Sequence, residues 1–131
     1  MNEITTSREE QFVLFTIECD RANKPILERL RNLVVAGLEA GDFNFVVDCD
    51  KVKYFEPSLY VKIDEINHII QKENGVLVVA CLHQGNDLLM KDLDIVATPT
   101  LSEASDYIFM EEIEKHFLSD EADEPDESEL S

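Results

Sequence analysis

The chain has 131 residues, 44% hydrophobic and 31% charged, with 29 acidic side chains against 11 basic ones and a formal net charge of −18. That length suits one domain with one core, and that charge repels a phosphate backbone, so no direct contact with nucleic acid is expected. No apolar run nears the ~20 residues of a membrane span, residues 1–8 carry no secretory apolar stretch, and Cys19, Cys49 and Cys81 are too few and too scattered for a disulfide framework; a cytoplasmic location is expected.

Phe12–Ile17 is rich in β-formers, and Ile4–Arg8 reads as a short strand paired with it. A helix follows, with Ile26, Leu27, Leu30, Leu33, Val34 and Leu38 on one face. Asn23 suits its cap, Pro25 its first turn and Gly41 its exit. Phe43–Val47 is a second buried strand. Leu59–Lys72 sets Leu59, Ile63, Ile66 and Ile70 against a polar face of Lys62, Asp64, Glu65 and Gln71, which predicts a second helix ended by Asn74 and Gly75. Val76–Ala80 is a third buried strand; a short helix around Asp87–Leu93 and a brief strand at Ile95–Val96 are expected next.

Thr100 and Glu103 have the spacing of a capping box and open the last helix. Phe109, Met110, Ile113 and Phe117 continue an apolar stripe along it, either packed on the domain's own sheet or forming a homodimer or partner surface. From residue 119 to 131 there are seven carboxylates and no base, with apolar side chains only at Ala122 and Leu130. Such a segment has too little to bury to offset its ordering entropy. Residues 1–118 are therefore expected to form the domain, and 119–131 a disordered acidic tail. Without the seven tail charges the −18 falls only to −11, so the domain itself is acidic. Strands separated by helices imply an α/β layer fold, a mostly parallel sheet of four to five strands covered by about four helices.

Sequence patterns for turnover are missing: no glycine-rich phosphate loop, no His-Glu-x-x-His, no Cys-x-x-Cys and no Gly-x-Ser-x-Gly. No catalytic residue, no metal and no cofactor is assigned, and the chain is not expected to be an enzyme. Asp48 and Asp50 follow the second buried strand, where a receiver domain would place its phosphoacceptor. Only Glu18 and Asp20 approximate a receiver's acidic pair, and Ala97-Thr98-Pro99 brings no lysine after the last strand. Loop capping by carboxylates is the ordinary alternative. Cys19, Cys49 and Cys81, with His83 beyond, fall at strand ends where a shared metal site is conceivable, although small buried cysteines are ordinary core residues. His68 and His116 read as plain surface residues.

The segment from Phe45 to Ser58 resembles the signature region of STAS domains, the family of sulfate transporters and anti-sigma factor antagonists. There, a buried strand ends in Asp, a hydrophobic bridge follows, and Asp-Ser-Ser-Gly opens the second helix. Asp48 matches the strand end, Val52 and Phe55 match the bridge, and Glu56-Pro57-Ser58-Leu59 falls on the tetrapeptide. Gly75–Ala80 resembles the next strand of that family, and Leu93–Ala104 its closing segment. Two departures stand out: the Gly-Glu-Leu-Asp-like turn is reduced to Glu18-Cys19-Asp20-Arg21, and Pro57 occupies the serine that switching members phosphorylate.

The resemblance implies a non-catalytic protein–protein interaction module in bacterial-type signalling and transcription regulation. It points to an anti-sigma factor or kinase-like regulator as partner, bound through Glu56, Pro57, Ser58, Leu59 and Tyr60, with Ser58 the one hydroxyl left for phosphorylation. The serine switch is then lost or displaced. An ordinary helix start is the plain structural reading of Glu56-Pro57-Ser58. A STAS-like subunit of a transporter ATPase complex, and a receiver using Asp48 or Asp50, are the alternatives.

Overall fold

The computed structural model describes residues 3–82 and 95–128, with side chains described as far as Phe117 except at Pro57. Its strands are β1 (Ile4–Arg8), β2 (Val13–Ile17), β3 (Arg21–Ala22), β4 (Asn44–Asp48), β5 (Tyr54–Phe55), β6 (Val76–Ala80) and β7 (Val96–Thr98). The α-helices are α1 (Lys24–Glu39), α2 (Tyr60–Lys72) and α3 (Leu101–Ser128), and a 3₁₀ turn at Pro57–Leu59 leads into α2. The helix expected around Asp87–Leu93 lies outside the described residues.

Five strands form one sheet in the order β1-β2-β4-β6-β7. β1 is the antiparallel edge, with Ile4 opposite Ile17; every other pair is parallel. This is the mostly parallel α/β sheet that the alternation of strand and helix patterns implies. The strands β2, β4 and β6 lie side by side in chain order, so crossovers of one hand put both connecting helices on the same face. Accordingly α1 and α2 share one core with that face, where Ile26, Leu30, Ile63 and Ile66 meet Phe15, Phe45, Val47 and Val79. The Phe15 and Phe45 rings stack at 5.9 Å between centroids. α3 covers the other face, burying Ala104 and Ile108 against Val46, Val78 and Ala80. β4 is buried along its whole length because helices cover it on both sides, which explains the unbroken apolar run Phe45–Val47 at its centre.

The local signals have the expected causes. Asn23 caps α1 by accepting the Ile26 N–H at 3.1 Å, with Pro25 in the first turn. Gly41 adopts a φ of +100° just beyond α1, a backbone that side-chain-bearing residues avoid. Thr100 Oγ1 accepts the Glu103 N–H at 3.1 Å, the cap the spacing implies, and the Thr100 hydroxyl donates to the Glu103 carboxylate at 3.2 Å, side chain to side chain. α3 does not end at the boundary expected at residue 118; its backbone stays helical to Ser128. The short ladder of β3 with β5, which aligns Arg21 with Tyr54 and Ala22 with Phe55, has no counterpart in the sequence reading.

Candidate functional site at the strand ends

The signature segment runs along the C-terminal edge of the parallel strands, where an α/β sheet usually places its binding loops. β4 ends at Asp48, whose Oδ1 accepts the Asp50 N–H at 3.0 Å, the loop-capping role open to a carboxylate there. Cys49 N–H donates to Ala80 O at 2.9 Å and Val52 N–H to Cys49 O at 3.0 Å, so the chain turns tightly off the sheet. The Lys53 and Tyr54 N–H groups then both donate to Asp20 O, at 2.8 and 2.9 Å. This fork joins the β2–β3 connection to the β4–β5 connection. A side-chain tie reinforces it: Lys51 Nζ donates to Glu18, which also accepts from Thr5 Oγ1 at 3.1 Å. The Lys51 ammonium, then the Thr5 hydroxyl, hold the Glu18 carboxyl below its usual range.

Beyond β5 the segment divides into anchors and exposed residues. Val52, Phe55, Leu59 and Tyr60 are buried, Leu59 and Tyr60 at only 4% exposure. The Phe55 and Tyr60 rings pack at 4.8 Å between centroids. Glu56 and Ser58 face solvent, and Leu59 N–H closes the 3₁₀ turn on Glu56 O at 2.9 Å. Leu59, at the cap position of α2, has no side chain able to satisfy the first N–H groups. Of the five residues in the expected binding segment, Glu56 and Ser58 thus offer side chains outward, while Leu59 and Tyr60 hold the turn onto the core.

Two exposed neighbours escaped the sequence reading. Tyr54 is 56% exposed, with the Arg21 guanidinium 5.1 Å from its ring centroid, and Val61 is 66% exposed one residue into α2. The alternation of exposed Tyr54 with buried Phe55 is a two-residue strand signal, too short to register without its partner β3.

The three cysteines do not build a common site. Cys49 is buried, while Cys19 and Cys81 are half-buried, and among the described residues no three His, Cys, Asp or Glu side chains converge to hold a metal ion. His83 lies outside the described residues. Burial, with the Asp48 charge nearby, pushes the Cys49 thiol far up. Burial and Asp48 likewise push Cys81 up to about 11. Cys81 sits at a φ of 64° at the end of β6, with its N–H donating to Thr98 O at 2.9 Å. His68 is an exposed residue on α2, its Nδ1 2.9 Å from Asp64 O, and His116 is exposed on α3.

The stripe on α3 faces outward rather than onto the domain's own sheet. Phe109, Met110, Ile113 and Phe117 are all about half-exposed, from 46% to 59%. Ala104 and Ile108 supply the sheet contacts instead. Among the described residues no helix is long and apolar enough to cross a membrane.

No protein-family model matches the sequence, and no curated protein matches it either. Solved structures do. A Thermotoga maritima protein designated an anti-sigma factor antagonist superposes with a TM-score of 0.70 at 14% identity, over 80% of this chain and 93% of that one. An anti-sigma-factor antagonist (STAS) domain protein from Planctomyces limnophilus gives 0.67 at 16% identity, over 82% and 98%. The anti-sigma factor antagonist SpoIIAA in its unphosphorylated form gives 0.62 at 8% identity, over 80% and 96%. At such low identity the agreement is one of backbone architecture, and it extends over nearly the whole of each of those domains. The chain has the STAS fold.

Proposed function

We propose that this chain is a non-catalytic adaptor that works by protein–protein contact, in the manner of an anti-sigma factor antagonist, without the serine phospho-switch. The observation that carries the reading is the turn at the strand ends, where Glu56 and Ser58 are exposed on a turn whose flanking residues Phe55, Leu59 and Tyr60 are buried. A rigidly seated turn with outward polar groups is suited to recognition, since little ordering entropy is lost on binding. Tyr54 and Val61 add apolar area beside it. Domain 1–118 holds this surface; residues 119–131 have almost no apolar side chains to bury against it.

Loss of the switch follows from the residue types. Pro57 has no hydroxyl, and Ser58 is one helical step away, about 100° around the axis. A phosphate on Ser58 would set up to two negative charges beside Glu56, at a turn on an already acidic chain. The partner that fits is a kinase-like regulator or an anti-sigma factor. The test uses the full chain and a Glu56→Arg, Ser58→Arg double variant as baits against lysate of the native cell, with bound proteins identified by mass. A histidine-kinase-like ATPase retained by the first bait and lost from the second supports the reading. A transporter ATPase in its place supports the structural-subunit alternative. The purified pair is then incubated with ATP: binding that persists, with Ser58 unmodified, is the expected result. Efficient phosphorylation of Ser58 with release of the partner would overturn it. For the receiver alternative, intact mass after exposure to a small phosphodonor is decisive, with no adduct expected at Asp48, which is buried, or at Asp50.

A further inference from the structure

At the opposite edge of the sheet the β1–β2 turn approaches the far half of α3. A groove of about 580 Å³ runs along Phe109, Ile113 and Phe117, bounded by Gln11. Gln11 and Glu112 also line an adjoining cleft of about 400 Å³, which reaches in to Asn44. The two spaces adjoin at Gln11 and Glu112, one mainly apolar and one polar.

The polar end contains an unpaired group. Asn44 is 8% exposed, and its Nδ2 donates to Gln11 O at 3.2 Å and to Glu112 Oε2 at 3.0 Å. Both neighbours are acceptors, so the amide nitrogen must face them. Among the described residues nothing donates to Asn44 Oδ1. A buried acceptor without a donor is costly; the Oδ1 itself is closed to solvent, while the residue lines a cleft that also holds the carboxylates of Glu9, Glu10 and Glu112. Asp42, in the same cleft, is already paired with Arg8 through two contacts of 2.6 and 3.0 Å. Glu112 is 3.9 Å from Lys115 Nζ, which lines the apolar groove, so the charge the cleft presents to an occupant is that of the exposed Glu9 and Glu10.

The apolar end has helical spacing. Phe109, Ile113 and Phe117 stand at i, i+4 and i+8, a continuous exposed ridge. Half-exposed aromatic side chains in such a row mark an interaction surface more than a solvated face. Charge decides which kind. A second copy would bring the same carboxylates and the same −18 against the groove, and an acidic or nucleic-acid partner meets the same repulsion.

We propose that this groove docks an amphipathic helical segment of a basic partner protein. Its apolar side chains seat on Phe109, Ile113 and Phe117, and a lysine or arginine beside them pairs with the exposed carboxylates of Glu9 and Glu10. This surface is independent of the Glu56–Ser58 turn, and an adaptor that carries both can hold two proteins at once.

The test uses the full chain and two synthetic amphipathic peptides of about 18 residues, enough for five helical turns. One has leucines on one face and lysines on the other; its counterpart has glutamates in place of the lysines. Binding is followed by fluorescence anisotropy. The lysine peptide is expected to saturate at one per chain and the glutamate peptide not to bind. Phe117→Ser and Phe109→Ser leave every charge in place and alter only exposed positions, so far-UV circular dichroism should confirm that they fold. Each should weaken the lysine peptide roughly tenfold or more, the loss typical of an aromatic anchor. Unchanged affinity in both variants would mean that net charge alone holds the peptide, which overturns the proposal. Lack of saturation at millimolar peptide overturns it too, as does equal binding of the glutamate peptide. A chain that sediments as a dimer and becomes monomeric on Phe117→Ser would assign the groove to a second copy instead.

Discussion

Leu59→Ala and Ser58→Ala are neighbouring substitutions that should behave in opposite ways. Leu59 is 4% exposed and packs in the core formed by α1, α2 and the sheet. Burying a leucine side chain is worth about 1.5–3 kcal/mol in transfer free energy. Truncation to alanine also leaves a cavity, because Val52, Phe55 and Tyr60 around the turn are themselves tied to the fold; measured losses for such changes run about 2–5 kcal/mol. About 3 kcal/mol is expected here. At this chain length each kcal/mol moves the melting temperature by about 4 °C, so the midpoint should fall by about 12 °C. Ser58 is exposed and caps nothing among the described residues, so Ser58→Ala should stay within about 0.5 kcal/mol. Urea denaturation of the two variants and the parent, fitted with a common slope, measures both. In binding assays the order should reverse, since folded Leu59→Ala retains the exposed groups of the turn while Ser58→Ala removes one of them. A Leu59→Ala loss under 0.5 kcal/mol, or a Ser58→Ala loss as large as that of Leu59, would refute the division into anchors and contacts.

Gly75→Ala should be costly for a different reason: an added Cβ would lie 2.1 Å from Phe43 O, the backbone acceptor of the Val76 N–H. About 3 kcal/mol is expected from such overpacking, read from the same denaturation curves. Gly41→Ala meets no atom within 4 Å and should lose only about 1 kcal/mol, from its φ of +100°. Alkylation by iodoacetamide should still accelerate at Cys81 between pH 9 and pH 10, because that thiol is pushed up to about 11, and Cys49 should react only on unfolding; site-resolved mass spectrometry measures both. The sign for stability follows from the same shift: the folded state disfavours the Cys81 thiolate, so its contribution is whole below the ordinary thiol pKa and is lost as pH rises through about 11. Removal of residues 119–131 should leave the melting temperature of the domain within about 2 °C, the scale of a neutral surface change, and a larger fall would show that the tail docks.

Much of the architecture was legible in the sequence because it rests on local periodicity. The β-formers of Val13–Ile17, the apolar runs Phe45–Val47 and Val76–Ala80, and the helical spacing of Ile63, Ile66 and Ile70 each name an element without reference to any other. Capping by Asn23 and Thr100 is equally local, since the acceptor and the N–H it receives lie three residues apart. The signature at Asp48–Ser58 was also readable, as a string of residue types. Its division into exposed and buried members was not. Leu59 and Tyr60 sit in one tetrapeptide-sized stretch with Ser58, and only the packing of Phe55 on Tyr60 and of the turn on the core turns them inward. The pairing of Arg21–Ala22 with Tyr54–Phe55 spans some thirty residues of chain, so neither half carries a strand signal alone. The stripe on α3 had two meanings in sequence, and the choice depended on which face of the helix the sheet occupies: Ala104 and Ile108 take the contact, and Phe109, Ile113 and Phe117 are left outside. Asn44 is the furthest from sequence reach. Its amide is oriented by Gln11, 33 residues before it, and by Glu112, 68 residues after it, and an acceptor becomes an orphan only when the fold has brought every possible donor into place or kept it away.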